Sequence, residues 1–523
     1  MIGPGRSRDG RPGAGGGIAA QRNAAAGGGR GERGRKSGIM AVDIRSPLFI
    51  LGALLSVFSF GMLIPALADW IDGGPDVAMF LASFVVTIFA GGTLMTAFKP
   101  RERISVTVHQ AFVLTALAWL AIAVFAALPL AVSSLHLSFT DAFFEAMSGV
   151  TTTGSTVLVG LDAMPSGVLW WRSLLQWFGG VGIIVMAVAI LPFLRIGGMQ
   201  LFRTESSDRS EKTLPRVSQI SAAILVFYVS ATAIVALALA LCGLSAFDAV
   251  NHAMTSIATA GFSTYDASVG ALHNPLAEYV LIVAMVVGGM PLLVLIASLR
   301  GADLRFARDT QIHVYLSLIA ISTLLLFAWR MIHHDGPVEQ AFRDSMFSVV
   351  SIATTTGYAT ADYSIWGSFP IVLILFLMFN GGCTGSTSGG LKIFRLQILY
   401  QMARIQITRL THPNAVIVPR FNDREVTRDV ITSVAGYVFL YFFCFVVIAI
   451  GMSMFGLDLE TSVSGAATAL GNVGPGVGNV IGLAGNFASL PDGAKWLLAF
   501  GMLLGRLEIL TLVVLFLPSF WRA

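Results

Sequence analysis

The chain has 523 residues, of which 55% are hydrophobic and only 12% charged, with a formal net charge of +4 at neutral pH. A soluble domain carries about a quarter charged residues, so this composition excludes an ordinary soluble enzyme, provides no basis for a nucleic-acid partner and leaves a polytopic membrane protein. Three cysteines and eight scattered histidines complete the exclusions, because neither a disulfide framework nor a metal-binding spacing is visible.

Residues 1–44 are rich in Gly, Ala and Arg and poor in large apolar side chains, so they read as a disordered basic tail able to touch anionic lipid. The alternative is synthesis starting at Met40. Apolar runs long enough to cross about 30 Å of hydrocarbon follow near 47–70, 77–98, 109–133, 168–194, 217–243, 276–299, 312–332, 369–390, 429–455 and 494–520. The first two form a leading pair over residues 45–104. The other eight fall into four units, 105–212, 213–308, 309–425 and 426–523, each a helix, a loop and a second helix. The expected fold is therefore all-α, with four fused helix, pore loop, helix repeats around a central pore.

Each unit carries the same pattern around one glycine: Thr151-Thr152-Thr153-Gly154-Ser155, Ala258-Thr259-Ala260-Gly261-Phe262, Thr354-Thr355-Thr356-Gly357-Tyr358 and Gly471-Asn472-Val473-Gly474-Pro475. Thirteen residues earlier stand Asp141, Asp248, Asp344 and Thr461, the last beside Glu460, and six residues earlier stand Ser148, Thr255, Ser351 and Thr468. A short helix opened by an acid and closed by a hydroxyl-rich loop is thus predicted four times. Irregular backbone at membrane depth must be buried in protein or line water, so the four loops are expected to meet. Carbonyls before each glycine would replace a cation's hydration shell, with the short helices directing their negative ends at it.

Lys and Arg concentrate in one set of connections, around 99–103, 195–216, 300–308 and 395–428, whereas the alternate connections carry the glycine loops. The positive-inside rule then places both termini in the cytoplasm and the pore loops outside. The basic stretches Arg195 to Arg216 and Arg395 to Arg428 read either as docking surfaces or as ordinary positive-inside loops.

Diglycines Gly179-Gly180, Gly288-Gly289 and Gly381-Gly382 recur in the second helices, with Gly505 in a similar place in the fourth. Close helix packing is one of two readings for the first two, the other being a role in the pathway. The third opens Gly381-Gly382-Cys383-Thr384-Gly385-Ser386-Thr387-Ser388-Gly389-Gly390, too poor in helix formers to continue a span, so it is expected to break its helix beneath the loops. Lys392 after it reads as a snorkelling anchor. Arg506 lies inside the last apolar run and is read as facing the pore, the alternative being a pair with Glu508.

These motifs resemble the Trk/Ktr/HKT superfamily of potassium transporters, and the leading helix pair resembles its bacterial TrkH/TrkG branch. The resemblance implies potassium held by Thr152, Thr153 and Gly154; Thr259, Ala260 and Gly261; Thr355, Thr356 and Gly357; and Asn472, Val473 and Gly474. It also implies that the segment containing Gly381, Gly382, Gly385, Ser386, Gly389 and Gly390 obstructs the pore, with Arg506 beside it as part of the gate. Potassium would be the ion held, with no organic cofactor in this chain. A homodimer in the bacterial inner membrane and a cytoplasmic TrkA-like nucleotide-binding regulatory subunit are implied as well. Potassium symport coupled to sodium or protons is the competing reading, and a membrane-embedded enzyme is disfavoured by the lack of a nucleotide or metal motif.

Overall fold

The computed structural model describes residues 44–100, 107–189, 217–301, 305–333, 336–415, 417–422, 424–483 and 485–522. The basic tail up to residue 43 and the loop of residues 190–216 lie outside them, as do the boundaries expected between the leading pair and the first repeat and between the first and second repeats. Among the described residues the only strands are a two-residue hairpin, Arg420–Phe421 against Arg424–Glu425. The fold is all-α.

The leading pair is a continuous apolar span, Arg45–Asp72, and its return, Val77–Ala97. Small residues let the two backbones approach: a Cβ on Gly52 would lie 2.6 Å from the carbonyl oxygen of Gly91. Buried Asp69 accepts from the amides of Asp76 and, at 3.1 Å, Gly167, fastening the pair to the first repeat.

The repeats follow the expected order. Their first helices are Val108–Ala131, Val217–Leu241, Thr310–His333 and Arg428–Met454. The short helices are Phe139–Val150, Ala246–Ile257, Val338–Ala353 and Leu459–Gly471. Three of the four start on a side chain that accepts an amide three residues on: Ser138 from Asp141, Ser245 from Asp248 and Asp458 from Thr461. The acid expected at the opening therefore sits in the first turn in the first, second and fourth repeats, as Asp141, Asp248 and Glu460, and in the fourth the cap, Asp458, is acidic as well. The third repeat departs, because its helix begins at Val338 after Pro337 and places Asp344 two turns in, where it pairs with Arg330 at 3.0 Å.

Among the described residues, six helices are long and apolar enough to cross a membrane unbroken, and two further spans are bent. Pro275–Gly288 and Leu292–Gly301 meet at 96°, and Asp492–Arg506 and Ile509–Phe516 at 110°. A third expected span stops early, since Ser368–Phe379 ends before the glycine-rich segment. Straight spans over 276–299 and 494–520 are thus corrected, whereas the stop at Phe379 is the break expected at the glycine-rich segment. Hydropathy sums over residues and is blind to direction; Pro291 has no amide for the helical ladder, and Glu508 takes φ +61°, which turns the chain.

The apolar interior falls into two large clusters. One is built mainly on the leading pair, the first repeat and the fourth and takes in part of the second, and the other is built mainly on the second and third with a few residues of the fourth.

Candidate functional site

The four loops share one backbone course. The residue before each glycine donates its amide to the carbonyl of the hydroxyl residue five positions back: Thr153 to Ser148 at 2.9 Å, Ala260 to Thr255 at 2.9 Å, Thr356 to Ser351 at 2.8 Å and Val473 to Thr468 at 3.0 Å. Two residues before each glycine the chain is left-handed, with φ of 54° at Thr152, 48° at Thr259, 59° at Thr355 and 53° at Asn472. The glycines are left-handed as well, at 86°, 79°, 83° and 114° for Gly154, Gly261, Gly357 and Gly474. Left-handed residues thus alternate with residues of negative φ, a backbone course that can aim successive carbonyls to one side.

The loops close on one another. A Cβ on Gly154 would lie 2.3 Å from the oxygen of Ala260, one on Gly261 1.9 Å from that of Thr356, one on Gly357 2.1 Å from that of Val473, and one on Gly474 2.9 Å from that of Thr153. Each glycine leans on the carbonyl of the next repeat and the fourth leans on the first. Glycine is required by crowding as well as by φ. Gln176 spans the second loop from behind, donating to Ala260 at 2.6 Å and accepting from Phe262 at 2.9 Å. The Ala260 carbonyl keeps its second lone pair. On one side of the ring lies an open cavity of about 540 Å³ of empty space, bordered by all four glycine loops except Gly474 itself, which contributes through Pro475.

On the other side stands the glycine-rich segment. Residues 380–392 form a closed bulge, pinned at its neck where Gly381 donates to Leu391 at 2.8 Å and Leu391 to Phe379 at 3.0 Å. Its tip reaches the ring: Gly389 donates to the Thr355 hydroxyl at 2.7 Å, and the Thr387 hydroxyl lies 3.0 Å from that of Thr259. The bent helix of the second repeat holds it. Gly288 and Gly289 lose their helical acceptor role where Pro291 interrupts the ladder, and their carbonyls accept instead from Thr387 at 3.2 Å and Cys383 at 2.9 Å. Leu292 returns a bond to Gly385 at 3.1 Å. A backbone that would be intolerable in lipid is thereby satisfied by protein.

Arg506 lies 2% exposed against the same bulge. Its terminal nitrogens donate to the carbonyls of Thr387 at 2.8 Å and Gly179 at 3.1 Å, so it bridges the third and first repeats from the fourth. It does not pair with Glu508. That carboxylate instead bonds Arg395 at 2.6 Å, and the Arg395 guanidinium lies 3.7 Å from the centre of the Tyr437 ring. Lys392 turns its amine inward to the Ser388 carbonyl and borders a cavity with Arg506 and Glu508, which corrects its reading as a snorkelling anchor. The diglycines serve packing: a Cβ on Gly179, Gly288 or Gly505 would strike the carbonyl four residues before the loop glycine, in Val150, Ile257 and Leu470 respectively.

Comparison with known proteins accords with this architecture. The family model described as "TrkH: Cation transport protein" matches residues 77–522. The chain belongs to the TrkH family. It is 46% identical over 476 residues to the Trk system potassium uptake protein TrkI of Halomonas elongata, covering 91% of this chain and 96% of the relative. It is 39% identical to the Trk system potassium uptake protein TrkH of Salmonella typhimurium, covering 90% and 98%. The crystal structure of the potassium transporter TrkH from Vibrio parahaemolyticus superposes with a TM-score of 0.85 at 35% identity, covering 92% of this chain and all of the other.

Three buried charges of this TrkH-family chain carry no local motif. Arg395 counted in sequence as one more basic loop residue, yet it is 1% exposed and paired across 113 positions. Lys495 reaches Asp141 at 2.6 Å and Arg172 reaches Glu145 at 2.8 Å, both at the ring's open side. For Lys495 and Arg172 a charged residue within an apolar run was the available signal; Arg395 lies in a basic connection and gave none, and the partners were not visible for any of the three.

Proposed function

We propose that this chain takes up potassium through a gated, channel-like pore whose selectivity filter is the ring of four glycine loops. The single observation carrying this reading is the closure of the ring, each glycine against the next repeat's carbonyl. A cage of backbone carbonyls with left-handed glycines suits a large monovalent cation that sheds its water, and the relatives are named for potassium uptake. The ligands are the carbonyls of Thr152, Thr153, Gly154, Thr259, Ala260, Gly261, Thr355, Thr356, Gly357, Asn472, Val473 and Gly474. The gate is the bulge from Gly381 to Gly390 together with Arg506, whose positive charge stands on the ion's route.

The same reading places the ring toward the outside of a bacterial inner membrane and both termini in the cytoplasm, in keeping with the basic connections at 300–308 and 395–428. A cytoplasmic TrkA-like nucleotide-binding subunit would act through the helix Ile393–Thr411, which leaves the bulge directly, and the membrane part would be a homodimer. The test is potassium flux into vesicles holding the purified chain, with and without imposed sodium and proton gradients. Potassium entry driven by its own gradient and membrane potential alone supports a channel-like pore. Entry that requires a sodium or proton gradient would replace it with symport.

A further inference from the structure

Two residues outward from each loop glycine, a second closed ring of contacts runs around the pathway. The carbonyl of Ser263 accepts from the Arg172 guanidinium at 2.8 Å, that of Ala359 from the Gly270 amide at 3.0 Å, that of Gly476 from the Tyr363 hydroxyl at 3.1 Å, and that of Thr156 from the Phe487 amide at 2.9 Å. In every case the donor belongs to the preceding repeat, with the fourth repeat serving the first. The sense of rotation is the same as in the glycine ring. Equivalent positions in four dissimilar loops are thus held by four donors of three chemical kinds, a guanidinium, a phenol and two backbone amides, in one cyclic order.

We propose that this outer ring is a clamp that sets the diameter of the filter, and that Arg172, Glu145 and Tyr363 are its side-chain positioning residues. The inference rests on the loops being the filter. Arg172 is aimed by its surroundings: fully buried Glu145 accepts from its Nε at 2.8 Å, and the guanidinium lies 4.1 Å from the centre of the Phe262 ring. Glu145 also accepts from the Thr156 hydroxyl at 3.0 Å and the Val157 amide at 2.9 Å, so one carboxylate anchors the first loop while steering the arginine that holds the second. The second repeat has His252 at the position of Glu145, nine residues before the glycine. Its Nδ1 meets the Asp248 carbonyl at 2.8 Å and therefore carries the proton, leaving Nε2 to accept from the Ser263 hydroxyl at 3.0 Å. Ser263 is consequently fixed at both its carbonyl and its side chain. Tyr363 is 1% exposed, and its hydroxyl bond to Gly476 is the side-chain contact by which the third repeat holds the fourth at this level.

None of these groups needs to touch the ion. A filter that discriminates by the spacing of its carbonyls fails when the loops spread, and a carbonyl freed of its donor can turn or draw in water. The test uses the full chain in vesicles, comparing the parent with Tyr363→Phe, which removes one hydroxyl and keeps the ring, and with Glu145→Gln, which keeps the shape but releases the charge holding Arg172. Two quantities are read: the potassium to sodium permeability ratio, and amide hydrogen exchange over residues 154–160 and 474–480. The expected result is a ratio lowered about threefold or more in each variant, the scale of one lost hydrogen bond, with faster exchange in those segments and the parent's elution profile. Glu145→Gln protein that cannot be recovered leaves Tyr363→Phe to decide alone. Unchanged ratio together with unchanged exchange overturns the clamp. If the parent has no potassium preference, the functional reading fails separately, and exchange at residues 474–480 in Tyr363→Phe still decides whether the outer ring holds the loops.

Discussion

Gly154 has a carbonyl oxygen 2.3 Å from where a Cβ would sit and a φ of 86° that side chains rarely adopt. Serine there must push against Ala260 and adds a hydroxyl suited to a smaller ion. Gly154→Ser is expected to lower the potassium to sodium permeability ratio while the protein still elutes normally, and an unaltered ratio in vesicle recordings would remove this loop from the filter. Arg506 poses the opposite case, a cation kept where none is welcome. A central arginine costs about 2.5 to 3.5 kcal/mol on insertion scales, and here its compensation comes from the carbonyls of Thr387 and Gly179 and from a distant ring, Trp119 at 6.0 Å. With Glu508 engaged by Arg395, Arg506→Ala strands no carboxylate, so the variant is expected to fold and to pass potassium faster. Well-folded protein with the parent's flux would deny Arg506 a place in the barrier.

Elements explain why some features were legible in the sequence and others were not. The short helices and their loops could be read because four copies align, and Gly381 to Gly390 because nothing in it favours a helix. The bends at Gly289–Pro291 and at Glu508 were hidden inside runs that a hydropathy window scores as single spans. A diglycine followed two residues later by proline was the signal for the first bend, and its purpose becomes visible only when Thr387 and Cys383 are seen taking the freed carbonyls. The pairing of Arg395 with Glu508 depends on the second bend, which points the carboxylate away from its own helix. The bulge is held by a countable set of bonds to the broken helix and to Thr355, and under the proposed gating its withdrawal would break these while leaving the glycine ring alone. Deleting three or four residues between Thr384 and Ser388 is therefore expected to make conduction continuous without moving the permeability ratio. A deletion that still closes, or that alters the ratio as strongly as Gly154→Ser, would place the obstruction elsewhere.

For the whole molecule, the ring has one seam. The first three junctions join repeats that follow one another along the chain, but the fourth repeat meets the first with no covalent link between them. That seam carries the Lys495–Asp141 pair, the Trp496 ring stacked on Phe143 at 4.6 Å between centres, the Asn472 amide on the Thr153 hydroxyl at 3.0 Å and the Ser155 hydroxyl on the Gly474 carbonyl at 2.6 Å. Asp141→Asn leaves the Lys495 amine buried without its counter-charge; since Asp141 is about a quarter exposed, the expected loss is about 1–2 kcal/mol, below the range for a fully buried pair. Heating purified protein and following its elution should show a lower midpoint than the parent, and an equal midpoint would mean that the seam does not depend on this pair. The seam also has a consequence for biogenesis. The fourth wall is the last to leave the ribosome, and three loops whose amides cannot face hydrocarbon are already made before Leu459–Gly471 exists to receive them. Until Lys495 and Trp496 arrive, the nascent repeats depend on the insertion machinery, or on one another, for shelter. A stalled or truncated chain of this design is thus exposed to quality control while most of its helices are already in the membrane.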